Sequence, residues 1–131
     1  MRLRQYLNHY SHNYGIHTGL VAPPELEEKR IDSTVEAQLQ PIIQEALTNV
    51  RRHSGASSAR VIFALCGSEI RITVEDDGRG FDPEVISENQ GFGLRSMRGR
   101  AEAVGARLEV KSAPGKGTQV VIQVPWGKGD A

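Results

Sequence analysis

The segment that most constrains the fold lies at residues 69–76, where apolar and polar side chains alternate. Alternation with a period of two predicts a β-strand in a sheet that is buried on one face and exposed to solvent on the other. Residues 59–66 predict a second strand, and the intervening pair Gly67-Ser68 is typical of a two-residue type II′ hairpin. Because the apolar face of such a sheet must be covered, we expect helices to pack on it.

The first residues of the chain predict a helix. Tyr6, Tyr10 and Tyr14 are spaced four apart within residues 1–14, so their side chains share one helical face. Gly15 ends the segment. A helix this short is not stable in isolation, so it needs a surface to pack against. The other interpretation is that the segment is the end of a longer helix.

Two further helices and three further strands complete the predicted fold. The longer helix has its N-cap at Ser33 or Thr34, carries Glu36 in its first turn and stops at Gly55. Residues 25–30 before it predict a solvated turn. The remaining elements are a helix at about residues 94–104 and strands at residues 16–21, 108–112 and 118–124. The order of elements predicts an α+β fold, a two-layer sandwich in which helices cover one face of an antiparallel sheet.

Length and charge exclude several functional classes. The 131 residues suffice for about one domain with one core. Lys and Arg together number 16, as do Asp and Glu, so no net positive field would hold a nucleic acid or an anionic membrane. The longest apolar run, residues 61–66, is far shorter than a membrane span of about 20 residues. We therefore expect a soluble protein that binds no nucleic acid.

The single cysteine, Cys66, excludes an internal disulfide, which suits a cytoplasmic location. Its position in an apolar run predicts a small core residue and not a nucleophile. The four histidines are scattered along the chain, and with only one cysteine they do not make a zinc site. No Ser, His and Asp residues are grouped as in a hydrolase triad.

A polar stripe on the longer helix forms the first candidate site. Glu45, Asn49 and either Arg52 or His53 are three to four residues apart and so share one side of the helix. A carboxylate and an amide oxygen one turn apart are hard ligands of the kind that Mg²⁺ takes while it keeps several waters. A basic residue one turn further on can meet phosphate oxygens. An ordinary solvent-exposed helix surface is the alternative interpretation of the same residues.

Two glycines after the hairpin define the second candidate site. Gly78 and Gly80 would let the backbone turn sharply and approach a flat ligand. Asp76, at the end of the strand, can accept a hydrogen bond from an exocyclic amine such as that of adenine. By itself the motif Asp-x-Gly-x-Gly is equally typical of a surface turn.

A second pair of glycines, Gly91 and Gly93, stands before Leu94 and the shorter helix. Backbone N–H groups at the start of a helix can bind phosphate, although the same pattern is common at helix entrances. The later motif at residues 115–118 lacks the spacing of a Walker phosphate loop and leads into a strand. The first glycine pair lacks the third glycine of a Rossmann fingerprint. Both of those nucleotide-binding classes are therefore excluded.

The order of these motifs is more specific than any one of them. Four motifs follow one another along the chain: Glu45-x-x-x-Asn49, Asp76-x-Gly78-x-Gly80, Gly91-x-Gly93-Leu94 and Gly115-x-Gly117-Thr118. In this order they resemble the ATP-binding domain shared by histidine kinases, gyrase-type topoisomerases, mismatch-repair MutL proteins and the large heat-shock chaperone ATPases. Residues 44–57 are similar to the sensor histidine kinases that partner LuxR-type response regulators. The resemblance covers roughly residues 16–125 and implies a Bergerat-type ATP-binding fold with a mixed, mostly antiparallel sheet.

The resemblance also implies roles for individual residues. On the phosphate side it gives Asn49 a contact to Mg²⁺ with Glu45 near the ion, which makes these two residues the catalytic candidates. It places Arg52 where relatives often have a phosphate-binding lysine, and His53 at the border of the nucleotide. On the base side it makes Asp76 the acceptor for the adenine amine. The other ATP-binding positions that it implies are Gly78, Gly80, Gly91, Gly93, Leu94 and Thr118.

The function implied by the resemblance is that of the catalytic domain of a sensor histidine kinase, with ATP and Mg²⁺ as cofactors. Such a domain transfers the γ-phosphate of ATP to a histidine on a dimerisation domain, for relay to an aspartate of a response regulator. Residues 15–131 would be the ATPase domain, with residues 82–90 as a short lid over ATP, and residues 1–14 would be the end of the dimerisation domain's second helix. We expect the fragment alone to bind ATP with little transfer, and the full-length protein to be a homodimer.

Two other functions stay open at this point. An anti-sigma-factor serine kinase uses a similar stand-alone ATP domain, which would explain the lack of an acceptor histidine, but the tyrosine-bearing helix and residues 45–57 argue against it. A non-catalytic nucleotide-binding module would serve only partner contact, and the presence of Asn49, Asp76 and both glycine pairs argues against that.

Overall fold

The computed structural model describes residues 3–28, 32–85 and 88–125, and a five-stranded sheet forms one layer of the fold. The strands are β1 (His17–Val21), β2 (Ser58–Cys66), β3 (Glu69–Asp76), β4 (Arg107–Ser112) and β5 (Thr118–Pro125). Their order in the sheet is β1-β2-β3-β5-β4. β1 runs parallel to β2, and the other neighbouring strands are antiparallel. The mixed, mostly antiparallel sheet is therefore confirmed.

Helices form the other layer. They are α1 (Leu3–Tyr14), α2 (Glu25–Glu28), α3 (Ser33–Asn49), which continues as one π-helical turn (Val50–Ser54), and α4 (Glu88–Glu102). α1, α3 and α4 contribute buried side chains to the same core as the inner face of the sheet, which confirms the two-layer α+β fold. Leu39, Ile42 and Leu47 of α3 have no exposed surface, so α3 lies at the centre of the layer. Within the described ranges, no helix is both long and apolar enough to cross a membrane.

The alternation in β3 has the predicted consequence. Ile70, Ile72 and Val74 are buried in the core, whereas Arg71 is exposed on the opposite face. Gly67, the first residue of the turn between β2 and β3, has a φ of 64°. A type II′ turn needs a positive φ at this position, so the turn agrees with the predicted hairpin.

Cys66 is exposed, so the prediction that it is a core residue is wrong. Successive side chains of a strand point to opposite faces of the sheet. The buried residues Val61 and Phe63 define the inward positions of β2, and Cys66 lies an odd number of residues away from both. The prediction failed because an apolar run does not show which face of the strand each residue occupies, and only alternate residues of β2 face the core.

The boundaries around α3 differ in detail from the predicted ones. Its N-cap is Asp32, whose Oδ1 accepts a hydrogen bond from the N–H of Thr34 at 2.8 Å, so the prediction of Ser33 or Thr34 as the cap is wrong. A carboxylate satisfies the free N–H groups of a first turn as well as a hydroxyl does. The turn predicted at residues 25–30 contains the short helix α2, and its last two residues lie outside the described ranges. The predicted stop at Gly55 is confirmed by a φ of 64°.

α4 begins at Glu88 and not at about residue 94, so Gly91 and Gly93 lie inside a helix and not in a loop before it. A glycine inside a helix costs about 1 kcal/mol relative to alanine. Here it allows close packing, because a Cβ on Gly93 would lie 2.8 Å from Oε2 of Glu45 in α3. Contact between the two helices thus outweighs the tendency of glycine to end a helix. Of the predicted lid at residues 82–90, the last three residues belong to α4, and residues 86–87 lie outside the described ranges.

α1 is held against the core by its apolar face and by hydrogen bonds. Leu3, Leu7 and Tyr10 are buried in the core cluster. The hydroxyl of Tyr10 donates to the carbonyl oxygen of Leu47 in α3 at 2.7 Å. The hydroxyl of Thr18 in β1 donates to the carbonyl oxygen of Leu7 at 3.3 Å. The tyrosine-bearing helix is therefore part of the same folded unit as the sheet.

Candidate functional site

A cavity lies between the C-terminal half of α3 with its π-helical turn and the ends of β3 and β5. Each element brings one to three residues to it, so residues far apart in the sequence meet there. Six of the predicted site residues line the cavity: Asn49, His53, Asp76, Gly80, Leu94 and Thr118.

Apolar side chains form most of the remaining wall, and sequence reasoning did not identify them as part of a site. In the sequence they look like ordinary core positions of a helix or a strand, because the cavity is a gap within the core itself. The apolar residues are Ala46, Val50, Val74, Phe81, Val110 and Val120.

Asp76 is the half-buried carboxylate of the cavity. It stands at the end of β3, and its Oδ1 accepts a hydrogen bond from the backbone N–H of Gly78 at 2.7 Å. Burial raises the pKa of Asp76, and the nearby charge of Asp77 raises it further, whereas backbone N–H groups of Gly78 and Thr118 lower it. The backbone thus orients an acceptor that is partly withdrawn from water, which is the property needed to select an amine on a ligand.

The two glycines after Asp76 make different contacts. Gly80 lines the cavity and has a φ of 65°, and a Cβ at this position would collide with the carbonyl oxygen of Ala113. Gly78 does not line the cavity, because it faces the π-helical turn, where a Cβ would lie 2.5 Å from the carbonyl oxygen of Ser54. The loop after β3 is therefore packed between the π-helical turn and the β4–β5 turn, with no space for a side chain at either glycine.

Hydrogen bonds from Arg79 fix this loop on both sides. The backbone N–H of Arg79 donates to the carbonyl oxygen of Ser54 at 2.8 Å, and its Nε donates to the carbonyl oxygen of His53 at 2.7 Å. The carbonyl oxygen of Arg79 accepts from the N–H of Gly115 at 2.6 Å. Sequence reasoning missed Arg79, since a single arginine between two glycines carries no periodic signal.

The hydroxyl of Ser112, also missed, orients Thr118. It accepts from the N–H of Phe81 at 2.9 Å and donates to the carbonyl oxygen of Gly117 at 2.9 Å. The Oγ atoms of Ser112 and Thr118 are 2.8 Å apart. Because Ser112 has a single hydroxyl proton and directs it to Gly117, Thr118 is the donor of the second bond. The lone pairs of the Thr118 hydroxyl are thereby left for a ligand or a water.

Five predicted site residues do not line the cavity: Glu45, Arg52, Gly78, Gly91 and Gly93. Glu45 lies one helical turn before Asn49, and its side chain faces a neighbouring polar cleft between α3 and α4. Arg52 is exposed on the π-helical turn, and Gly91 and Gly93 are buried in α4. In the part of the chain that the structure describes, no three His, Cys, Asp or Glu side chains come together as a metal-binding group.

The fold and the cavity agree with the ATP-binding domain that the motif order implied, and comparison with known proteins gives the same class. Residues 34–128 match the family of histidine kinase-, DNA gyrase B- and HSP90-like ATPases. The chain belongs to this family of ATP-binding domains.

Sensor histidine kinases are among its most similar relatives. The sensor histidine kinase LiaS of Bacillus subtilis (strain 168) is 42% identical over 101 residues, which are 77% of this chain and 28% of LiaS. An uncharacterized sensor-like histidine kinase of Chloroflexus aurantiacus is 36% identical over 128 residues, which are 94% of this chain and 21% of that protein. The chain thus corresponds to less than a third of the length of either relative.

A solved structure has the same fold. The histidine kinase domain of the blue-light activated histidine kinase EL346 from Erythrobacter litoralis superposes with a TM-score of 0.78 at 26% sequence identity. The match covers 95% of this chain and 59% of that one, so it extends beyond residues 34–128. The Bergerat-type ATP-binding fold that the motif order implied is thereby confirmed.

Proposed function

We propose that this chain is the ATP-binding catalytic domain of a sensor histidine kinase. The observation that carries the proposal is the cavity, in which Asn49 from a helix meets Asp76 and Thr118 from two strands, on the fold of this ATPase family. In the full-length protein the γ-phosphate of ATP would pass to a histidine on a dimerisation domain and then to an aspartate of a response regulator. The similarity to sensor histidine kinases supports this function.

The Asp76 end of the cavity fits the adenine of ATP. The oriented, half-buried carboxylate would accept a hydrogen bond from the exocyclic amine of the base. The Thr118 hydroxyl would contribute on the same side, directly or through a water. The apolar walls would pack against the two faces of the adenine ring. This packing would remove apolar surface of the ring from water, which favours binding. Gly80 would keep the wall close to the base because no side chain intervenes.

The α3 end of the cavity fits the phosphates and Mg²⁺. The amide oxygen of Asn49 would contact the ion and the carboxylate of Glu45 would lie near it, while water completes the coordination. His53 would border the nucleotide, and the exposed guanidinium of Arg52 would meet phosphate oxygens. When bound, the ion supplies neutralisation of the charge that builds up on the phosphates.

We assign the glycines of α4 to the phosphates as well. Gly91 belongs to the first turn of α4, where the dipole of a helix favours an anion. Gly93 would act by letting α4 approach Glu45 and Asn49 closely. Leu94 would close the cavity on the α4 side, and Gly78 would support the base pocket by its contact with the π-helical turn.

Catalysis by such a domain would consist of positioning and charge neutralisation, as in phosphoryl transfer generally. The acceptor histidine would belong to another domain, so the fragment alone is expected to bind ATP and transfer little. We further propose that residues 1–14 are the end of that domain's second helix, docked on the ATPase domain of residues 15–131. The full-length protein would be a homodimer that phosphorylates a LuxR-type regulator in the cytoplasm, where ATP is available.

Calorimetric titration of the fragment with Mg·ATP and with adenosine tests the nucleotide site. Asn49→Ala should weaken Mg·ATP at least tenfold, about 1.4 kcal/mol, and leave adenosine unchanged, whereas Asp76→Asn should weaken both. Asn8→Ala, at an exposed position of α1, is the matched control. A wild-type fragment that binds no Mg·ATP would contradict the proposal.

Incubation with ATP and the dimerisation domain of its own full-length protein tests the reaction. Acid-labile phosphohistidine on that domain is the expected product. Acid-stable phosphoserine on a partner would favour the serine kinase instead. Nucleotide binding without any transfer by the full-length protein would favour the non-catalytic module.

A further inference from the structure

A buried hydrogen bond connects α1 to α3 two residues before Asn49. The hydroxyl of Tyr10 donates to the carbonyl oxygen of Leu47 at 2.7 Å, and both residues are buried. The same carbonyl accepts from the N–H of Val50, which also points to the carbonyl of Ala46. Tyr10 therefore contacts α3 at the place where its last α-helical turn gives way to a different hydrogen-bonding pattern.

The start of the π-helical turn after Asn49 affects the relative directions of the two site residues Asn49 and His53. Asn49 is the last residue of the α-helix and His53 belongs to the π-helical turn, and both line the cavity. A π-helical turn contains one residue more per hydrogen-bonded ring than an α-helical turn, so it rotates the side chains after it relative to those before it. If the π-helical turn began one residue earlier, Asn49 would belong to it, and its side chain would point in a different direction relative to the α-helical residues before it.

A second contact from the same face of α1 lies on the other side of Asn49. The guanidinium of Arg51 stands 4.4 Å from the centroid of the Tyr14 ring, a cation–π arrangement. Tyr14 in turn packs edge-on against the Tyr10 ring at a centroid distance of 5.3 Å. The residues two before and two after Asn49 are thus both held by tyrosines of α1.

The hydroxyl of Tyr10 is suited to this contact. Burial raises the pKa of Tyr10, so the hydroxyl stays protonated at neutral pH and can donate to the carbonyl. The ring supplies apolar packing to the core, and the hydroxyl adds a directional bond that packing alone does not require. The two contributions are separable by a phenylalanine substitution.

We infer that Tyr10 is a positioning residue of the nucleotide site: through the carbonyl of Leu47 it fixes where α3 switches to the π-helical turn, and thereby directs Asn49 toward the metal and phosphates. This inference rests on the proposed function and deepens it. α1 becomes part of the phosphate end of the site, although none of its residues lines the cavity.

Tyr10→Phe, which removes only the hydroxyl, tests the inference. The expected result is a loss of Mg·ATP affinity of about fivefold, with the affinity for adenosine unchanged because Asp76 stays in place. Tyr6→Phe and Tyr14→Phe on the same helix face are matched controls that leave the bond to Leu47 intact, and both should bind as the wild type does. Thermal unfolding verifies that each variant is folded.

A double-mutant cycle separates positioning from a general loss of stability. In a chain that already carries Asn49→Ala, Tyr10→Phe should have no further effect on Mg·ATP binding, because the residue it acts through is gone. Tyr14→Leu, which removes the ring under Arg51, should weaken Mg·ATP in the same direction and carries the test if Tyr10→Phe does not fold. Wild-type affinity in Tyr10→Phe, or equal losses with and without Asn49, would overturn the inference. Absence of Mg·ATP binding by the unmodified chain would instead overturn the proposed function.

Discussion

Asp76 and Asp77 are adjacent in the sequence, and their surroundings shift their pKa values in opposite directions. Burial raises the pKa of Asp76. Hydrogen bonds from the backbone N–H of Ser58 and the hydroxyl of Ser57 lower the pKa of Asp77 to about 2. Asp76 faces the cavity, whereas Asp77 ties the end of β3 to the start of β2. Two identical side chains therefore differ in their contacts: Asp77 has a structural role, whereas a binding role is proposed for Asp76.

The lowered pKa makes Asp77 a source of stability with a defined pH range. Its folded pKa of about 2 lies below the ordinary value of 3.8, so the ionised form stabilises the folded state. This contribution is complete above about pH 4 and is lost as the pH falls through about 2. Asp77→Asn should destabilise the chain at neutral pH and flatten the acid dependence, measured by urea unfolding between pH 2 and 7.

The control for Asp77 is Asp82→Asn, a loop carboxylate that accepts from the N–H of Glu84 and does not join two strands. This variant should keep the acid dependence of the wild type. An unchanged pH profile in Asp77→Asn would show that the bonds to Ser57 and Ser58 do not stabilise the folded state.

A comparison of alanine substitutions at Gly80 and Gly115 distinguishes the cost of backbone strain from the cost of a steric collision. Both have positive φ, 65° and 78°, but a Cβ on Gly115 would meet nothing within 4 Å, whereas one on Gly80 would strike the Ala113 carbonyl. Gly115→Ala should cost about 1 kcal/mol of unfolding free energy, and Gly80→Ala about 3 kcal/mol or more, measured by denaturant unfolding. Equal costs would argue against close packing of the loop at Gly80.

At the scale of helices and strands, periodic patterns in the sequence predicted the elements better than glycines predicted where the elements end. The alternation in β3 and the spacing of the tyrosines in α1 each predicted the correct element. The alternation also predicted the buried face of β3, whereas only Tyr10 of the three tyrosines is buried and Tyr14 is exposed. The glycines at residues 91 and 93 predicted a break that does not exist, because their environment in α4 comes from α3 and not from their neighbours in sequence. Periodicity is a local property, whereas helix–helix contact is not.

The glycines of α4 allow a test of this helix–helix contact. Gly99 has open space around it, so Gly99→Ala should stabilise the chain by up to about 1 kcal/mol and leave Mg·ATP binding unchanged. Gly93→Ala gains the same helix propensity but displaces the carboxylate of Glu45 beside Asn49. Because that carboxylate ends a flexible side chain, stability should be nearly kept while the affinity for Mg·ATP falls severalfold.

Thermal unfolding and calorimetry on the two variants measure these effects. If Gly93→Ala binds Mg·ATP like Gly99→Ala, the position of the Glu45 carboxylate does not matter to the site. If Gly93→Ala unfolds far more easily, the backbone of α3 and not the Glu45 side chain limits the approach of the two helices.

At the scale of the whole molecule, α1 and the sheet share one core. Leu3, Leu7 and Tyr10 belong to the same buried cluster as Leu47 and Ile72. The boundary predicted after residue 14 therefore crosses a continuous set of apolar contacts. A chain divided there would leave apolar surface of α3 exposed on one side of the cut.

Removal of α1 tests this continuity. Burial of each large apolar side chain contributes about 2 kcal/mol, and a domain of this size has about 5–15 kcal/mol in total. We therefore expect residues 15–131 alone to lose a cooperative thermal transition, followed by circular dichroism. A cooperative transition at the midpoint of the full chain would show that α1 is a separable appendage.

The sequence by itself determined the class of fold, the buried face of β3 and the order of four motifs along the chain, because periodicity is a local property and motif order is a property of the linear chain. It also named six of the residues that line the cavity, although it missed the apolar ones and named five more residues that do not line it. Only the tertiary structure decided that Gly78 faces Ser54, that Cys66 is exposed, that α4 continues through its glycines and that Tyr10 reaches α3 beside Asn49. Each of these depends on contacts between residues distant in sequence, whose geometry is set when the layers pack together.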